Sequence, residues 1–225
     1  MSNEVLFIVW LFVCLTLPVI FSKGGKAWLF GYIGINGCML VVLAPLTATT
    51  FGYAISVNTI LWAPLYLCTD ILTERYGKKA ALQGALLSAL VGYVVIALTQ
   101  IPLSFTPAEE SIAHAQKLMD VFQHSWRMVL TGSIIYFMCQ VVDVHVYDYL
   151  HRKTGEKYLW LRNNASTLFT TFINNIAFWY FAFGHVLENW FATAIAGYLV
   201  TVVVALCDTP FIYMAKKIKP LDLKE

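Results

Sequence analysis

Residues 163–183 read NNASTLFTTFINNIAFWYFAF, a run as long as a membrane-crossing helix but polar through its first half. Four of its polar residues recur at helical spacing: Asn163, Thr167, Thr170 and Asn174. In a helix they share one face, and each unpaired polar group in hydrocarbon costs several kcal/mol. The face is therefore predicted to look into a helix bundle or a cavity. The adjacent amides of Asn174 and Asn175 lie roughly halfway along the run, which indicates a place where something polar binds.

The composition of the chain is that of an integral membrane protein. Of its 225 residues, 59% are hydrophobic and 12% charged, with a mean hydropathy of +0.68, whereas soluble domains carry about 25% charged residues. Seven apolar spans approach the roughly 20 residues that cross a bilayer: 4–21, 27–50, 54–72, 79–102, 126–149, 163–184 and 190–214. No soluble domain fits between them. The sequence predicts an all-α fold, a polytopic membrane helix bundle of about seven transmembrane helices (six plus one), with residues 1–225 forming one domain.

Basic residues are segregated to alternate loops. Thirteen of the 15 Lys and Arg residues follow spans one, three, five or seven, whereas the opposite loops hold only Lys117 and Arg127. By the positive-inside rule this pattern predicts an N-terminus outside the cell and a cytoplasmic C-terminus. The alternation fits seven spans and fails with six or eight.

Two segments are predicted to have structural roles. Span four carries Gly84, Ser88 and Gly92 at four-residue intervals, and small residues at this spacing let helix backbones approach closely in lipid. This stripe is interpreted as a packing surface within the bundle or between subunits, so span four could support a homodimer. Residues 108–122, between spans four and five, place apolar side chains at roughly helical spacing. They are predicted to form a short amphipathic helix on the outer surface, a connector rather than a lid.

Two acids lie one helical turn apart near the end of span three. Carboxylates inside a membrane are costly, so Asp70 is interpreted as functional. The alternative is that Arg75 or Lys78 neutralises it. Glu74 is interpreted as an interfacial residue together with Arg75.

Span five adds a second polar face. Gln140, Asp143 and Tyr147 share it, whereas His145 points elsewhere and is predicted to pair with Asp148 or Tyr149. A histidine beside carboxylates can relay protons, or it can be a structural hydrogen-bonding residue.

Two more polar residues flank these spans. Asp208, in span seven, could close the site or form a salt bridge with a basic loop. Arg162, at the mouth of span six, could extend its side chain to the interface or pair with Asp143.

Three segments together resemble a known family. They are YLCTDILTERYG at 66–77, QVVDVHVY at 140–147, and LRNNAST at 161–167 leading to INNIAF at 173–178. In this order and spacing they resemble the YhhQ-type queuosine precursor transporters of the vitamin uptake transporter group, which are bacterial inner-membrane proteins.

The resemblance implies a multi-pass inner-membrane transport domain that imports 7-deazaguanine bases, such as preQ0, preQ1 or queuine, for building queuosine in tRNA. The expected partners are a small nucleobase-like molecule and the lipid bilayer, with no nucleic acid. Residues expected to bind the substrate are Asp70, Gln140, Asp143, Thr167, Thr170, Asn174 and Asn175. Residues expected to relay protons or to gate the site are His145, Arg162 and Asp208.

The chain departs from the family at Asn174-Asn175, where relatives usually carry Asp-Thr. A carboxylate can accept two hydrogen bonds from the N1–H and exocyclic amine of a guanine-like ring, whereas an asparagine offers one acceptor and one donor group. Either the ligand is turned, or another acid supplies the acceptors, or the substrate differs.

Two other classes of function were weighed. The chain could be the substrate-binding subunit of an energy-coupling vitamin importer, which would need separate ATPase and coupling subunits. An intramembrane enzyme is disfavoured because the chain has no H-E-x-x-H or G-x-S-x-G motif. Its five cysteines are scattered singly through apolar spans without metal spacing, so neither a metal nor a cofactor is expected.

Overall fold

The computed structural model describes residues 1–155, 157–185 and 188–223, and for residues 53–54 and 123–128 it describes the backbone alone. Within these ranges there are seven α-helices: α1 (Asn3–Lys23), α2 (Lys26–Val42), α3 (Trp62–Tyr76), α4 (Lys78–Leu103), α5 (Ile112–Thr154), α6 (Leu159–Phe183) and α7 (Trp190–Lys217). The other elements are two short strands, β1 (Thr47–Thr50) and β2 (Tyr53–Ser56), and 3₁₀ turns at Val57–Leu61 and Glu109–Ser111. The predicted helical bundle is confirmed in outline. Lys224 and the side chain of Arg127, both used to predict the orientation, lie outside the described residues.

Four helices among the described residues are long and apolar enough to cross a membrane. They are α1, α4, the Val129–Thr154 part of α5, and α7. The second and third helices have only 17 and 15 residues, fewer than the roughly 20 that span hydrocarbon alone. Predicted spans 27–50 and 54–72 were therefore too long.

A β-hairpin occupies the stretch between α2 and α3 that was predicted to belong to the two membrane spans. Strand β1 pairs antiparallel with β2, from Thr47 opposite Ser56 to Thr50 opposite Tyr53. The two turn residues, Phe51 and Gly52, have φ angles of +54° and +80°, as in the type I′ turns that join antiparallel strands. The hydropathy pattern does not reveal the hairpin. Its β-branched threonines favour a strand, but they lower the mean hydropathy of the stretch only a little.

The fifth helix is 43 residues long, or about 65 Å at the usual rise per residue. The prediction of a separate surface helix over 108–122 is wrong, because α5 starts at Ile112 and continues through the predicted span without a break. No proline or glycine lies between Ile112 and Gly132, so nothing in this segment terminates the helix.

Helix α3 is the central element of the bundle. Every side chain from Ala63 to Thr73 is buried, and the helix packs against α1, α2, α4, α5 and α7. The long neighbours α5, α6 and α7 pack in sequence order beside it. Polar side chains on the middle of α3 are consequently enclosed by protein on all sides.

The small-residue stripe of α4 is used inside the bundle. A Cβ at Gly84 would lie 2.9 Å from the Leu72 side chain on α3, and one at Gly92 would lie 3.3 Å from Ser133 on α5. The stripe therefore lets α4 approach its own neighbours closely. A homodimer stays a prediction, and it would have to use a different surface.

The four basic segments meet at one end of the bundle, which we call the basic end. The guanidinium of Arg75 donates to the carbonyl oxygens of Ala215 and Ile218 at the end of α7. The Asp222 carboxylate accepts from the backbone N–H of Lys26 (2.7 Å) and from the hydroxyl of Tyr76 (2.6 Å). Slight burial works to raise the pKa of Asp222, but these two hydrogen bonds outweigh it and lower the pKa below the ordinary value.

Candidate functional site

Buried polar side chains form two layers on the same helices. The inner cluster comprises Tyr66, Asp70, Gln140, Asp143, Asn163, Thr167, Thr170 and Asp208. The end cluster lies one or two helical turns closer to the basic end and comprises Glu74, Tyr147, His151, Arg162 and Lys216. Each layer draws residues from α3, α5, α6 and α7. The two layers differ in how completely their polar groups are paired.

Three carboxylates are enclosed in the inner cluster. Asp70, Asp143 and Asp208 each have 0% of their surface exposed. Asp70 lies within electrostatic range of both other acids, and Asp208 within range of Asp143. Since the three come from α3, α5 and α7, only the packing of those helices brings them together.

Four oxygen atoms of these acids have no hydrogen-bond donor among the described residues. Both oxygens of Asp70 are unpaired, as is one oxygen of each other acid. The second oxygen of Asp143 accepts from the Thr170 hydroxyl at 3.1 Å, and that of Asp208 accepts from the Asn163 amide at 2.6 Å. Buried polar groups in native proteins are normally paired, so unpaired groups in a cluster indicate that something else satisfies them.

Unpaired neutral groups surround the acids. The hydroxyls of Tyr66 and Thr167 and the side-chain oxygen of Asn163 are buried without a partner in the described part of the chain. Tyr66, Thr167 and Asp208 line a narrow cavity of about 10 Å³ between α3, α6 and α7, which is close to the room needed by one water molecule. A larger ligand would enter only if these helices moved apart.

The remaining predicted residue of this layer, Gln140, is fully paired. Its amide donates to the Tyr136 hydroxyl at 2.7 Å, and its oxygen accepts from Thr69 at 3.4 Å. The Tyr136 ring in turn lies 4.8 Å from Trp62, measured between ring centroids. Gln140 therefore holds the ring of Tyr136, which packs against Trp62, beside the acids.

The predicted polar face of α6 is confirmed in its first half. Asn163, Thr167 and Thr170 are no more than 2% exposed. Asn174, the next residue on that face, is only half-buried. Asn175 donates to the Thr171 carbonyl at 2.9 Å, and its oxygen approaches Gly197 on α7. The amide pair thus lies beyond the inner cluster, on the side away from the basic end.

His145 lies apart from both clusters. Its side chain is exposed on α5, and its Nδ1 is 2.6 Å from the Val141 carbonyl oxygen. The predicted pairing with Asp148 is wrong, because Asp148 binds Arg152 at 2.9 Å instead. This position favours the structural interpretation of His145 over proton relay.

The end cluster is organised around Glu74. Its Oε1 accepts from Arg162 Nη2 at 2.6 Å and from Lys216 Nζ at 2.9 Å. Its Oε2 accepts from Arg162 Nε at 3.2 Å and from the Tyr147 hydroxyl at 3.0 Å, with His151 Nδ1 at 3.9 Å. The interpretation of Glu74 as a merely interfacial residue is therefore wrong. Its carboxylate is the common partner of groups from three other helices.

Each of the three guanidinium nitrogens of Arg162 donates a hydrogen bond. Besides the paired contact with Glu74, its Nη1 donates to the carbonyl oxygens of Gly155 and Lys157 at 2.9 and 3.0 Å. The side chain is fully buried, so the predictions that it pairs with Asp143 or extends to the interface are both wrong. Arg75 does not neutralise Asp70 either, since its guanidinium turns to the end of α7.

Sequence reasoning missed the Glu74–Arg162 pair because 88 residues separate its members. The sequence did contain a signal for this pair, because an arginine beside a membrane span is expected to pair with an acid at a similar depth in the membrane. Among the described residues, no group of three or more His, Cys, Asp or Glu side chains could hold a metal ion.

Comparisons with known proteins agree with the resemblance drawn from the sequence motifs. The chain is 27% identical to the "Probable queuosine precursor transporter" of Bacillus subtilis (strain 168) over 226 residues, covering 99% of this chain and 98% of that protein. No solved structure matches the chain significantly. A family model described as "Putative vitamin uptake transporter" matches residues 56–215, which is well over half of the chain and includes both clusters except Lys216. The chain therefore belongs to the vitamin uptake transporter family.

Proposed function

We propose that this protein imports a queuosine precursor, a 7-deazaguanine base, across the bacterial inner membrane for tRNA modification. The observation that carries the proposal is the inner cluster, where buried acids and hydroxyls lack partners among the described residues in the middle of a helix bundle. Such groups are costly unless a polar ligand or water pairs with them. The family membership and the name of the Bacillus relative support a transported queuosine precursor as that ligand.

The base would be held mainly by the inner cluster. A guanine-like ring presents an N1–H and an exocyclic amine that one carboxylate can accept together, and a carbonyl oxygen that a hydroxyl can satisfy. The unpaired oxygens of Asp70, Asp143 and Asp208 offer the acceptors, and the hydroxyl of Thr167 offers a donor. An acid from another helix thus takes the place of the one that relatives carry at position 174. Asn174 and Asn175 would meet the base on its way in.

The end cluster would act as the cytoplasmic barrier. It closes one side of the inner cluster with a completely paired network around Glu74. The narrow cavity indicates a closed conformation, because a base cannot fit in about 10 Å³. Transport then requires the bundle to open alternately toward each side, with Arg162 released from Glu74 when the inner side opens.

Seven spans with a cytoplasmic C-terminus are part of the proposal. Support comes from contacts that gather the four basic segments at one end, such as Arg75 with α7 and Asp222 with Lys26. The short helices α2 and α3 would reach across the bilayer together with the hairpin between them. The variants Asn3→Cys and Lys219→Cys would test the orientation. Only the cysteine at position 3 should react with a membrane-impermeant thiol reagent in intact cells.

The alternative is a substrate-binding subunit of an energy-coupling vitamin importer, a function that also fits a family described by vitamin uptake. Purified protein in liposomes separates the two functions, because a subunit alone would bind a base without transporting it.

The cellular test is rescue of tRNA queuosine. A strain that neither makes queuosine precursors nor takes them up receives the gene and is fed preQ0, preQ1 or queuine. Restored tRNA queuosine with at least one base is expected. Failure with every base, from protein shown to be in the membrane, contradicts the proposal.

A further inference from the structure

We infer that the inner cluster selects for a positively charged substrate, so that a 7-deazaguanine carrying a protonated amine binds more tightly than one carrying an uncharged nitrile. The inference rests on the proposed function and narrows its substrate class. In chemical terms it favours preQ1 and queuine, which carry amines, over preQ0.

The first argument is the balance of buried charge. Asp70, Asp143 and Asp208 are completely buried, and none of them contacts a Lys or Arg side chain among the described residues. The nearest buried cation, Arg162, is paired with Glu74 through both of that acid's oxygens. The end cluster thus directs both of its cations, Arg162 and Lys216, to its single acid Glu74, and it leaves the inner acids without a contacting counter-charge among the described residues. A buried acid without a counter-charge is strongly unfavourable in its ionised form, and a cationic ligand would allow such an acid to ionise and pair with it.

The second argument is the count of unpaired acceptors. Four carboxylate oxygens lack a donor. The N1–H and exocyclic amine of the ring can satisfy two of them, but these neutral groups cancel no charge. An ammonium group supplies a positive charge and three further donors, which is enough for the two oxygens that remain. A nitrile supplies neither, and its nitrogen is an acceptor facing a surplus of acceptors.

The third argument is independent of the acids. The hydroxyls of Tyr66 and Thr167 are at most 2% exposed, have no partner, and line the same cavity as Asp208. These groups can donate to the acceptor atoms of a ring. Beside the Asp208 carboxylate, the cavity therefore offers donors for the acceptor atoms of a ring, whereas a site for protons alone would not need unpaired hydroxyls.

The test is equilibrium binding to the full-length protein in detergent, where no membrane potential can favour a cation. Binding of preQ1 and preQ0 is measured by calorimetry at neutral pH, where an aliphatic amine is protonated. We expect preQ1 to bind at least tenfold more tightly. Asp70→Asn keeps the size of the side chain and removes one charge, so it should reduce this ratio several-fold. Asp208→Asn provides a second variant in case the first does not fold.

A matched control is Phe169→Leu, which alters an exposed side chain on α6 and should leave the ratio unchanged. Equal affinity for the two bases, or tighter binding of preQ0, would overturn the inference while leaving the proposed function intact. A ratio that stays at the wild-type value in both folded Asn variants would also overturn it. Binding of neither base would contradict the proposed function itself.

Discussion

The two buried polar clusters are consecutive layers of the same four helices, and they differ in one respect. Asp70 and Glu74 are a turn apart on α3, and Asp143 and Tyr147 a turn apart on α5. The end cluster pairs its carboxylate with an arginine, a lysine and a tyrosine. The inner cluster leaves four carboxylate oxygens without a hydrogen-bond partner in the described part of the chain. Burial of polar groups is therefore common to both clusters, and it is incomplete pairing that distinguishes the inner cluster, the proposed binding site.

The largest effect is expected from breaking the end cluster. Glu74→Gln leaves the buried Arg162 without its counter-charge, and removing one partner of a buried ion pair costs about 3–5 kcal/mol. Thermal unfolding in detergent should show a large loss of stability. The control is Arg152→Gln, because this arginine forms an exposed pair with Asp148 and its loss should cost less than about 1 kcal/mol. Equal stability of the two variants would show that the end cluster is not a structural network.

Breaking the inner cluster should affect transport rather than folding. Asp143→Ala removes an acceptor of the proposed ligand, and hydrogen bonds to charged groups are worth about 1.5–3 kcal/mol. Uptake should fall by roughly 10- to 100-fold or more, while the amount of protein in the membrane stays near wild type. Radiolabelled base uptake and quantitative immunoblotting measure the two quantities. Wild-type uptake in this variant would remove Asp143 from the site.

A smaller effect would show how far the inner cluster extends along α6. Asn174→Asp replaces an amide with a carboxylate, and it should change the relative affinity for different bases by about fivefold, or roughly 1 kcal/mol. Asn175→Asp is the matched control, because that side chain faces Gly197 on α7. If the two variants behave alike, Asn174 does not contact the substrate and the site ends at Thr170.

The smallest effect concerns the basic end, outside both clusters. The folded protein holds the pKa of Asp222 below its ordinary value, so this carboxylate contributes stability above pH 4 and loses it as the pH falls through the lowered pKa. Asp222→Asn should destabilise the protein by less than about 1 kcal/mol at pH 7. The difference in the free energy of unfolding between the variant and the wild type should shrink as the pH falls below about 4. If this difference in the free energy of unfolding stays constant across the pH range, the charge of Asp222 does not contribute to stability.

Sequence reasoning succeeded where one helix alone determines the outcome. The polar face of α6 had to avoid lipid, and Asn163, Thr167 and Thr170 are indeed buried. The costly acids Asp70 and Asp143 were also singled out correctly as enclosed residues. In each case the reasoning needed only the helical repeat and the cost of an unpaired polar group in hydrocarbon.

It failed where a second segment of chain was needed. The helix α2 ends at Val42 because a hairpin follows, and hydropathy averages do not register strand pairing. Arg162 was predicted either to extend to the interface or to pair with Asp143, whereas it pairs with Glu74. His145 and Asp148 were predicted to pair because they are close in sequence, yet Asp148 binds Arg152 one turn further along α5.

The amino-acid sequence alone established a membrane protein of helices, the polar face on α6 and the acids that cannot face lipid, because hydrophobic transfer and helical periodicity are local properties. Only the tertiary structure decided which acid is neutralised. Glu74 and Asp70 are one turn apart in the same helix, but packing of α6 and α7 brings cations into contact with Glu74 and, among the described residues, none into contact with Asp70. Charge pairing depends on distances between helices, and these exist only once the bundle has assembled.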